Sequence, residues 1–572
     1  MIHGLNGFIE LKQISSKGFF SVAAGFLLSA GVLTLIQVPF DVAYLAWISL
    51  VPFIFVCSPG AKPWRLVWLS YLISLIYWLG NLYWIGYVTV PGYVGFCIYM
   101  SLYWPLLALC VRYCRTKWGS GPLLLVIPLI FVGAEAWQGI LITGFSWRLL
   151  GHSQYANIRL IQMADIFGVP GISFVVAMVN GLVSGFVIDI TKAKVFRTVN
   201  FAKAGVVICV IAGALIYGQW RIDQSEEFLE AGPLVGSVQP NVPSNVKEVA
   251  DNAEKILEDL LVPSKACMDA GAKLVVWPET MVLATMNKSY LQLCRSDSEP
   301  VRFHTTISEH TKGKGYVLFG AHAANIEPAG AEYNIKDKFN SAFLYRPDAQ
   351  QDAKRYDKIH LVPFGEYIPF KESANFIYKL FLKFSPYDYD YNLTRGAEYT
   401  SFEISSHNKT YRFGVLICYE DTDAGVTRKM SVEKSQKKAD WLVNISNDGW
   451  YVRYKDGKVL PSVELSQRTV ITAFRAIENR ISIIRSVNTG ISCLIDSVGR
   501  IHDGFITGDL PVKAMDRQGV GGWFVDRINL DKRVTFFSNH GQWPDFCCAG
   551  VWIFVIISAL IQNIRRRKSG GM

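Results

Sequence analysis

Eight stretches of this chain read as membrane-crossing helices, and their placement constrains the fold more than any other feature. A hydrocarbon core about 30 Å thick takes roughly 20 residues of helix. Residues 18–36, 41–57, 66–88, 92–111, 122–144, 170–190 and 204–220 form seven apolar stretches, and 547–564 form an eighth. The stretch 41–57 is short and contains Pro52. Between the seventh and eighth, residues 221–545 have the look of an ordinary α/β sequence. The expected layout is an α-helical membrane bundle (1–220), one large insert (221–545), and a final helix with a basic tail (546–572).

The basic residues supply an independent check, because loops left on the cytoplasmic side are rich in Lys and Arg. Lys12 and Lys17 precede the first stretch, and Lys62 and Arg65 lie between the second and third. Arg112, Arg115 and Lys117 follow the fourth, Lys192, Lys194, Arg197 and Lys203 the sixth, and Arg565, Arg566, Arg567 and Lys568 the eighth. The alternate connections 37–41 and 89–91 carry none, and 145–169 carries only Arg148 and Arg159. This alternation places both termini in the cytoplasm and the insert on the outer face. It also accounts for much of the net charge of +10. No basic stripe with interleaved aromatics marks the insert, so nucleic acid is not an expected partner. Only 18% of residues are charged and 51% are hydrophobic, which excludes a disordered chain. The first stretch lacks a small-residue cleavage site and reads as an uncleaved anchor.

Within the insert, strands alternate with helices, and polar residues recur where strands stop. Gly236–Gln239 begins a strand, and Glu248–Ala270 is helical. Lys273–Trp277 ends at Pro278-Glu279, and Gly315–Gly320 and Asn340–Tyr345 are further strands. Arg412–Ile417 ends at Cys418-Tyr419-Glu420-Asp421, and Trp441–Ile445 ends at Ser446-Asn447-Asp448-Gly449. Glu464–Arg485 reads as a long helix, and Ile491–Ile501 as a hairpin around Ser497-Val-Gly. Such a layered α/β domain carries its chemistry at strand ends. Glu279, Lys358 and Cys418 are the residues to watch. A thiol needs a base before it attacks, and a carboxylate desolvated enough to raise its pKa supplies one. A fixed cation and backbone N–H groups stabilise the oxyanion of acyl transfer. Of eleven cysteines, only Cys267, Cys294, Cys418 and Cys493 lie in the insert, too few and too scattered for a disulfide framework.

Four words occur in order: Trp277-Pro-Glu279; Tyr356-Asp-Lys358-Ile-His-Leu-Val-Pro-Phe-Gly-Glu366-Tyr-Ile-Pro369; Ile417-Cys418-Tyr419-Glu420; and Ser446-Asn-Asp-Gly-Trp450. Together they resemble the nitrilase (carbon–nitrogen hydrolase) superfamily, whose Glu-Lys-Cys triad sits on an αββα sandwich. With seven helices before the insert and one after it, the whole chain resembles the apolipoprotein N-acyltransferase family of the bacterial inner membrane. Thr143-Gly-Phe-Ser-Trp147 and Gly151-His-Ser-Gln154 fit the same family. The resemblance implies Cys418 as nucleophile, Glu279 as general base and Lys358 as the oxyanion's cation. It also implies Glu366 as a second essential carboxylate, and Tyr419 and Glu420 as supporting residues, the Tyr419 N–H being an oxyanion donor. It implies a phospholipid acyl donor, a diacylglyceryl-cysteine apolipoprotein as acceptor, surrounding membrane lipids, a thioester on Cys418, a monomer, and no metal or diffusible cofactor. Two departures stand out. Asn245-Val-Lys-Glu248 replaces a tryptophan that relatives carry after the Val238-Gln239 strand, and Val452–Leu460 reads as an insertion beside the site.

Other features leave alternatives open. In Lys371–Phe384, Lys371, Asn375, Lys379 and Lys383 would form a polar stripe on an apolar helix, which suits either a membrane-interface element or a core helix with a solvated edge. Glu135 and Asp165, near the fifth and sixth stretches, are either functional intramembrane acids or helix-end residues. His304, Glu309 and His310 lack a metal-ligand motif. A membrane-tethered amidase using water as acceptor, and a non-catalytic scaffold or transporter, are the competing functions.

Overall fold

The computed structural model describes residues 18–193, 198–247, 252–329, 332–371, 374–382 and 391–569. Each apolar stretch is largely helical. Phe19–Leu35, Pro63–Asn81, Leu123–Gln138, Ala164–Ala193, Thr198–Asp223 and Trp543–Ser569 are α-helices, and 92–111 falls in the pair Val90–Met100 and Tyr103–Trp118. The stretch 41–57 divides into a 3-10 segment, Ala43–Ile48, and a short helix, Val51–Val56, with Pro52 in its first turn, where a missing N–H costs little. The Asn180 side chain repairs the break, accepting from Leu50 N–H at 2.8 Å and donating to the Ala46 carbonyl at 2.8 Å. Among the described residues, four helices are long and apolar enough to cross a membrane: Val90–Trp118, Ala164–Thr191, Phe201–Asp223 and Trp543–Gln562. Phe19–Leu35, Ala43–Val56 and Leu123–Gln138 are apolar but shorter. Of the basic loop residues, Lys12, Lys17, Lys194 and Arg197 lie outside the described residues.

The insert contains two facing sheets. The seven-stranded sheet runs, edge to edge, Ile506–Thr507, Gly522–Asp531, Leu229–Gln239, Leu274–Val276, Tyr316–Ala329, Glu332–Tyr345 and Gln351–Asp357. The six-stranded sheet runs Ile501–His502, Leu494–Ile495, Ser482–Val487, Trp441–Ser446, Lys409–Ile417 and Ser401–Ser406. Central strands in each sheet are parallel to one another and buried on both faces, so they read as continuous apolar runs. Val235, Val276 and Leu318 from one sheet meet Val415, Leu442 and Ile484 from the other in a shared core. The Ala253–Asp269 and Glu299–Thr311 helices close the outer face of the first sheet through Ile256, Leu260, Phe303 and Ile307.

The second sheet is covered differently. The stretch 464–485 is not one helix: Val463–Asn479 is helical, Arg480 turns the chain at φ 46°, and Ser482–Val487 is a strand. Periodicity missed this break because a left-handed non-glycine residue ends the helix where glycine would be the usual signal. Every residue of this helix from Glu464 to Asn479 is buried, because the bundle packs on the face that the sheet does not. Val470, Ile471, Phe474 and Ile477 belong to the same apolar cluster as the membrane helices, and Ala473 and Ala476 to the cluster between the sheets. Each fully buried Val, Ile or Phe side chain is worth about 1.5–3 kcal/mol, so the helix glues insert to bundle. Asp165 reinforces this joint. Its carboxylate accepts from Arg221 Nε at 2.7 Å, Arg480 Nη2 at 2.9 Å and Tyr217 OH at 2.7 Å. That geometry makes it a structural tie between bundle and insert.

Candidate active site

Four strands of the two sheets deliver the polar residues of the site at their carboxyl ends. Glu279 follows Leu274–Val276, Lys358 follows Gln351–Asp357, Cys418 follows Lys409–Ile417, and Asn447 follows Trp441–Ser446. The first two ends lie on one sheet and the last two on the other. Glu279, Lys358 and Cys418 are all buried, at 5%, 1% and 6% exposure. Gly320 is required beside them: a Cβ there would lie 2.6 Å from Glu279 Cα.

Lys358 bridges two carboxylates. Its Nζ donates to Glu279 Oε1 at 3.2 Å and to Glu366 Oε1 at 2.9 Å. The Asn340 amide spans the same two oxygens at 2.7 and 2.9 Å. Asn447 N–H caps Glu279 Oε2 at 2.8 Å, and Val362 N–H caps Glu366 Oε2 at 2.8 Å. Burial alone would raise Glu279, yet Lys358, Asn340, Asn447 and Lys247 outweigh it and hold the carboxyl below its ordinary range. This corrects the expectation of a desolvated carboxylate with a raised pKa: the neighbours supply more stabilisation to the ion than water removal takes away. Lys358 is raised in turn, its own burial being overcome by Glu279 and Glu366.

Cys418 opens a 3-10 turn, Cys418–Thr422, at φ 52°, a left-handed conformation that strains a residue with a Cβ. Burial pushes its thiol up to about 12, with Glu279 adding to the rise and Lys358 and Arg468 opposing it. Glu420 holds this turn in place. Its carboxylate accepts from Tyr356 OH at 2.8 Å, Ile359 N–H at 2.7 Å, His360 N–H at 3.1 Å and Ile417 N–H at 2.8 Å, tying the Lys358 and Cys418 segments together. Beneath it, Asp421 accepts from Arg468 Nε at 3.0 Å and Arg485 Nη1 at 2.6 Å, both guanidiniums being fully buried.

The Tyr419 side chain reaches the bundle. Its hydroxyl donates to the Gly144 carbonyl at 2.7 Å, and its ring stacks on Trp147 at 5.9 Å and 9°. Phe145 stacks on the other side of Trp147 at 5.1 Å. Gly144, Phe145 and Trp147 are therefore where the bundle packs against the turn that carries Cys418 and Tyr419. The segment Val452–Leu460 forms a hairpin, Arg453–Lys455 with Lys458–Leu460, and meets the bundle: Arg453 lies 4.5 Å over the Tyr87 ring, and neighbouring Tyr451 packs edge-on against Trp84 at 5.0 Å.

The structure thus groups Glu279, Lys358 and Glu366 directly, and brings Cys418, Tyr419 and Glu420 to them through the Glu420 bonds. Sequence reasoning missed Asn340, Asn447, Lys247 and Arg468. Lys247, at the end of the short Ser244–Lys247 helix, donates to Thr280 Oγ1 at 2.6 Å, next to Glu279. Asn447 was visible inside a motif word; the others carry no local signal. His304 and His310 bond separately, to Tyr345 OH at 2.6 Å and Ser264 Oγ at 2.9 Å. In the Asn375–Leu382 helix, Phe376 is 76% exposed, whereas Phe381 packs against Phe364 at 5.3 Å. Lys383 and Phe384 lie outside the described residues.

Residues 234–509 match the carbon-nitrogen hydrolase family, and residues 29–182 match the apolipoprotein N-acyltransferase N-terminal domain. The apolipoprotein N-acyltransferase of Geobacter metallireducens is 31% identical over 564 residues, covering 94% of this chain and 95% of the relative. That of Chlorobaculum tepidum is 26% identical, covering 97% and 98%. Among solved structures, an amidase from Nesterenkonia sp. aligns with 55% of this chain and 95% of its own at 13% identity and a TM-score of 0.34. A relative above 30% identity along nearly the full length, with both family regions in the expected order, places this chain in the apolipoprotein N-acyltransferase family.

Proposed function

We propose that this protein moves an acyl chain from a membrane phospholipid to the α-amine of the diacylglyceryl-cysteine of an apolipoprotein, with Cys418 as the covalent carrier. The Glu279–Lys358–Glu366 cluster, with Glu279 and Lys358 buried at strand ends of one sheet and Cys418 at a strand end of the facing sheet, carries the reading. The thiol attacks a phospholipid ester carbonyl, forming the C–S bond as its proton passes to Glu279. A free thiolate would be costly at a thiol pushed up to about 12, so proton loss and attack belong to one step. Lys358 Nζ and the Tyr419 N–H stabilise the oxyanion. The C–O bond then breaks, the lysophospholipid oxygen takes the proton from Glu279, and a thioester remains. The acceptor amine attacks that thioester, Glu279 takes its proton, an amide forms, and the sulfur regains a proton. Such alternation gives ping-pong kinetics.

Eight spans, both termini in the cytoplasm and the insert on the outer face complete the reading, with 1–220, 221–545 and 546–572 as the functional divisions and a monomer as the working unit. Lifting a chain into water would cost about 0.8 kcal/mol per CH₂, so the site must meet the membrane surface. The exposed Phe376 face and the Tyr419–Trp147 stack support that placement. Incubation with phospholipid, followed by the intact mass of the Cys418 peptide, tests the proposal. An acyl adduct that is absent in Cys418→Ser and is released by lipopeptide amine supports it. Release by water alone points to the amidase reading, and no adduct to a non-enzyme.

A further inference from the structure

Glu135, set aside by the catalytic reading, lines a second site. A cavity of about 70 Å³ opens between the Val463–Asn479 helix and the insert-facing ends of the Leu123–Gln138, Ala164–Ala193 and Trp543–Ser569 helices. Its wall carries Glu135, Glu478 and Asp545, each from a different helix, and one cation, Arg475. Their bonding capacity is not used up. Glu478 Oε1 accepts from Arg475 Nη2 at 2.8 Å and from Val169 N–H at 3.2 Å, while Oε2, on a residue with no exposure, has no partner. Arg475 Nε is also buried without a partner, and Nη1 makes only a 3.4 Å contact to the Thr422 carbonyl. Asp545, 7% exposed, receives one bond of 3.3 Å from Gln542. Burial pushes Glu478 up to about 7 in spite of Arg475, as expected of a wall short of positive charge.

Three carboxyl groups share one guanidinium, so a bound cation would hold them in the ionised form that burial opposes. Among the described residues, no three Asp, Glu, His or Cys side chains converge closely enough to hold a metal ion. A primary ammonium, whose three N–H donors can reach separated acceptors, matches this spread better. The idle Arg475 Nε offers an anion seat in the same cavity. Ile140 and Phe546, 45% and 64% exposed, line the same cavity at the ends of apolar helices, where acyl chains would run.

We propose that this cavity seats the phosphate- and ammonium-bearing head group of a resident membrane lipid, with Glu135, Glu478 and Asp545 around the ammonium and Arg475 Nε toward the phosphate. This lipid is not the acyl donor. Ser146 lines the cavity, whereas its neighbours Phe145 and Trp147 stack with each other and Trp147 with Tyr419, beside Cys418, so this segment walls the two sites apart. The inference rests on the bundle lying in a membrane, and not on the chemistry at Cys418.

Full-length Cys418→Ser protein, reconstituted into phosphatidylcholine vesicles with a minor fraction of phosphatidylethanolamine, provides the test by native mass spectrometry of the retained lipid. The expected result is retention of phosphatidylethanolamine about tenfold above its share, because a quaternary ammonium cannot donate the charged hydrogen bonds. Asp545→Asn and Glu478→Gln should each lower that enrichment several-fold. Asp545 is in no ion pair among the described residues, so Asp545→Asn should leave the thermal midpoint unchanged and, in protein with Cys418 intact, should still form the acyl adduct, whereas Glu478→Gln also loosens Arg475 and is read only by its lipid enrichment. Equal retention of the two lipids, or enrichment unchanged in both variants, would overturn the proposal. Stabilisation by soluble phosphoethanolamine without lipid enrichment would overturn it too, assigning the cavity to a soluble amine. A missing acyl adduct alongside intact enrichment would count against the role of Cys418 alone.

Discussion

Replacing Glu366 by Gln should separate the two things this carboxylate does. All three hydrogen bonds that reach it come from donors: Lys358 Nζ and Asn340 Nδ2 on Oε1, each at 2.9 Å, and Val362 N–H on Oε2 at 2.8 Å. An amide has only one acceptor oxygen. Turning that oxygen toward Lys358 and Asn340 sets the NH₂ against Val362 N–H, and the reverse orientation strands two donors instead of one. The first arrangement wins. Lys358 keeps Glu279 at 3.2 Å, so no buried cation is orphaned. The loss is then one part-buried unsatisfied donor and one weakened charged bond, about 2 kcal/mol. That corresponds to roughly a thirtyfold rise in local opening of the Val362–Glu366 turn. Hydrogen exchange on a peptide covering Leu361–Glu366 reads this directly.

The electrostatic effect runs the other way. Glu366 helps to hold the Cys418 thiol up, so its neutralisation makes the thiol more acidic and alkylation at a fixed pH faster. Acyl-adduct formation should nevertheless fall, because the loosened turn follows directly on Lys358. Faster alkylation with slower acylation is the signature. Slower alkylation together with unchanged exchange would refute the reasoning, since Glu366 would then be acting as a base and not as a fixed counter-charge.

Wild-type alkylation of Cys418 should climb about tenfold per pH unit from neutrality to pH 10 without a plateau, since only the thiolate reacts and burial pushes the thiol up to about 12; a plateau near pH 8 would contradict this. Lys358→Met removes a group that lowers the thiol, so it should slow alkylation and abolish the acyl adduct. Asp165→Asn leaves Arg221 and Arg480 facing each other without their shared carboxylate, at a cost of about 3–5 kcal/mol, and should expose the bundle–insert joint to proteolysis at lower temperature. Phe376→Asp should weaken turnover of vesicle-embedded donor without lowering the thermal midpoint, whereas Phe381→Asp should lower the midpoint by breaking contacts with Phe364 and Phe370.

What could be read from the chain in advance divides along physical lines. Apolar stretches report helices because burial in a bundle or bilayer demands apolar side chains over the whole length, and strand ends were legible because continuous apolar runs stop where polar residues begin. The stretch 464–485 reads as one helix but breaks at Arg480, which sits at φ 46° with its guanidinium bonded to Asp165, Gln162 and the Ser497 carbonyl, partners scattered along the chain. Asn340 and Arg468 escaped for the same reason. Their importance lies in contacts across 61 and 47 residues, to Glu279 and Asp421, which no local pattern encodes.

Tyr419 shows most sharply why the membrane helices and the reactive cysteine are one problem. Motif order drew attention to its backbone N–H as an oxyanion donor, but its side chain crosses 275 residues of sequence to bond Gly144 and stacks on Trp147. Cys418 and Tyr419 are adjacent in a turn whose first residue is held at positive φ. One side chain sits beside the buried Lys358 while the next is clamped to the bundle. Any shift of the bundle segment 144–147 therefore acts on the turn that aims the sulfur, with the Glu420 bonds to Ile359 and His360 carrying the same shift to the strand end that bears Lys358. Relaxing the clamp by Tyr419→Phe, which keeps the stack and deletes one hydrogen bond worth about 1 kcal/mol, should slow acylation by phospholipid while leaving alkylation by a small soluble reagent nearly unchanged. If both rates fell together, the hydroxyl would be serving the thiol itself, and the bundle's hold on the turn would not be what positions it.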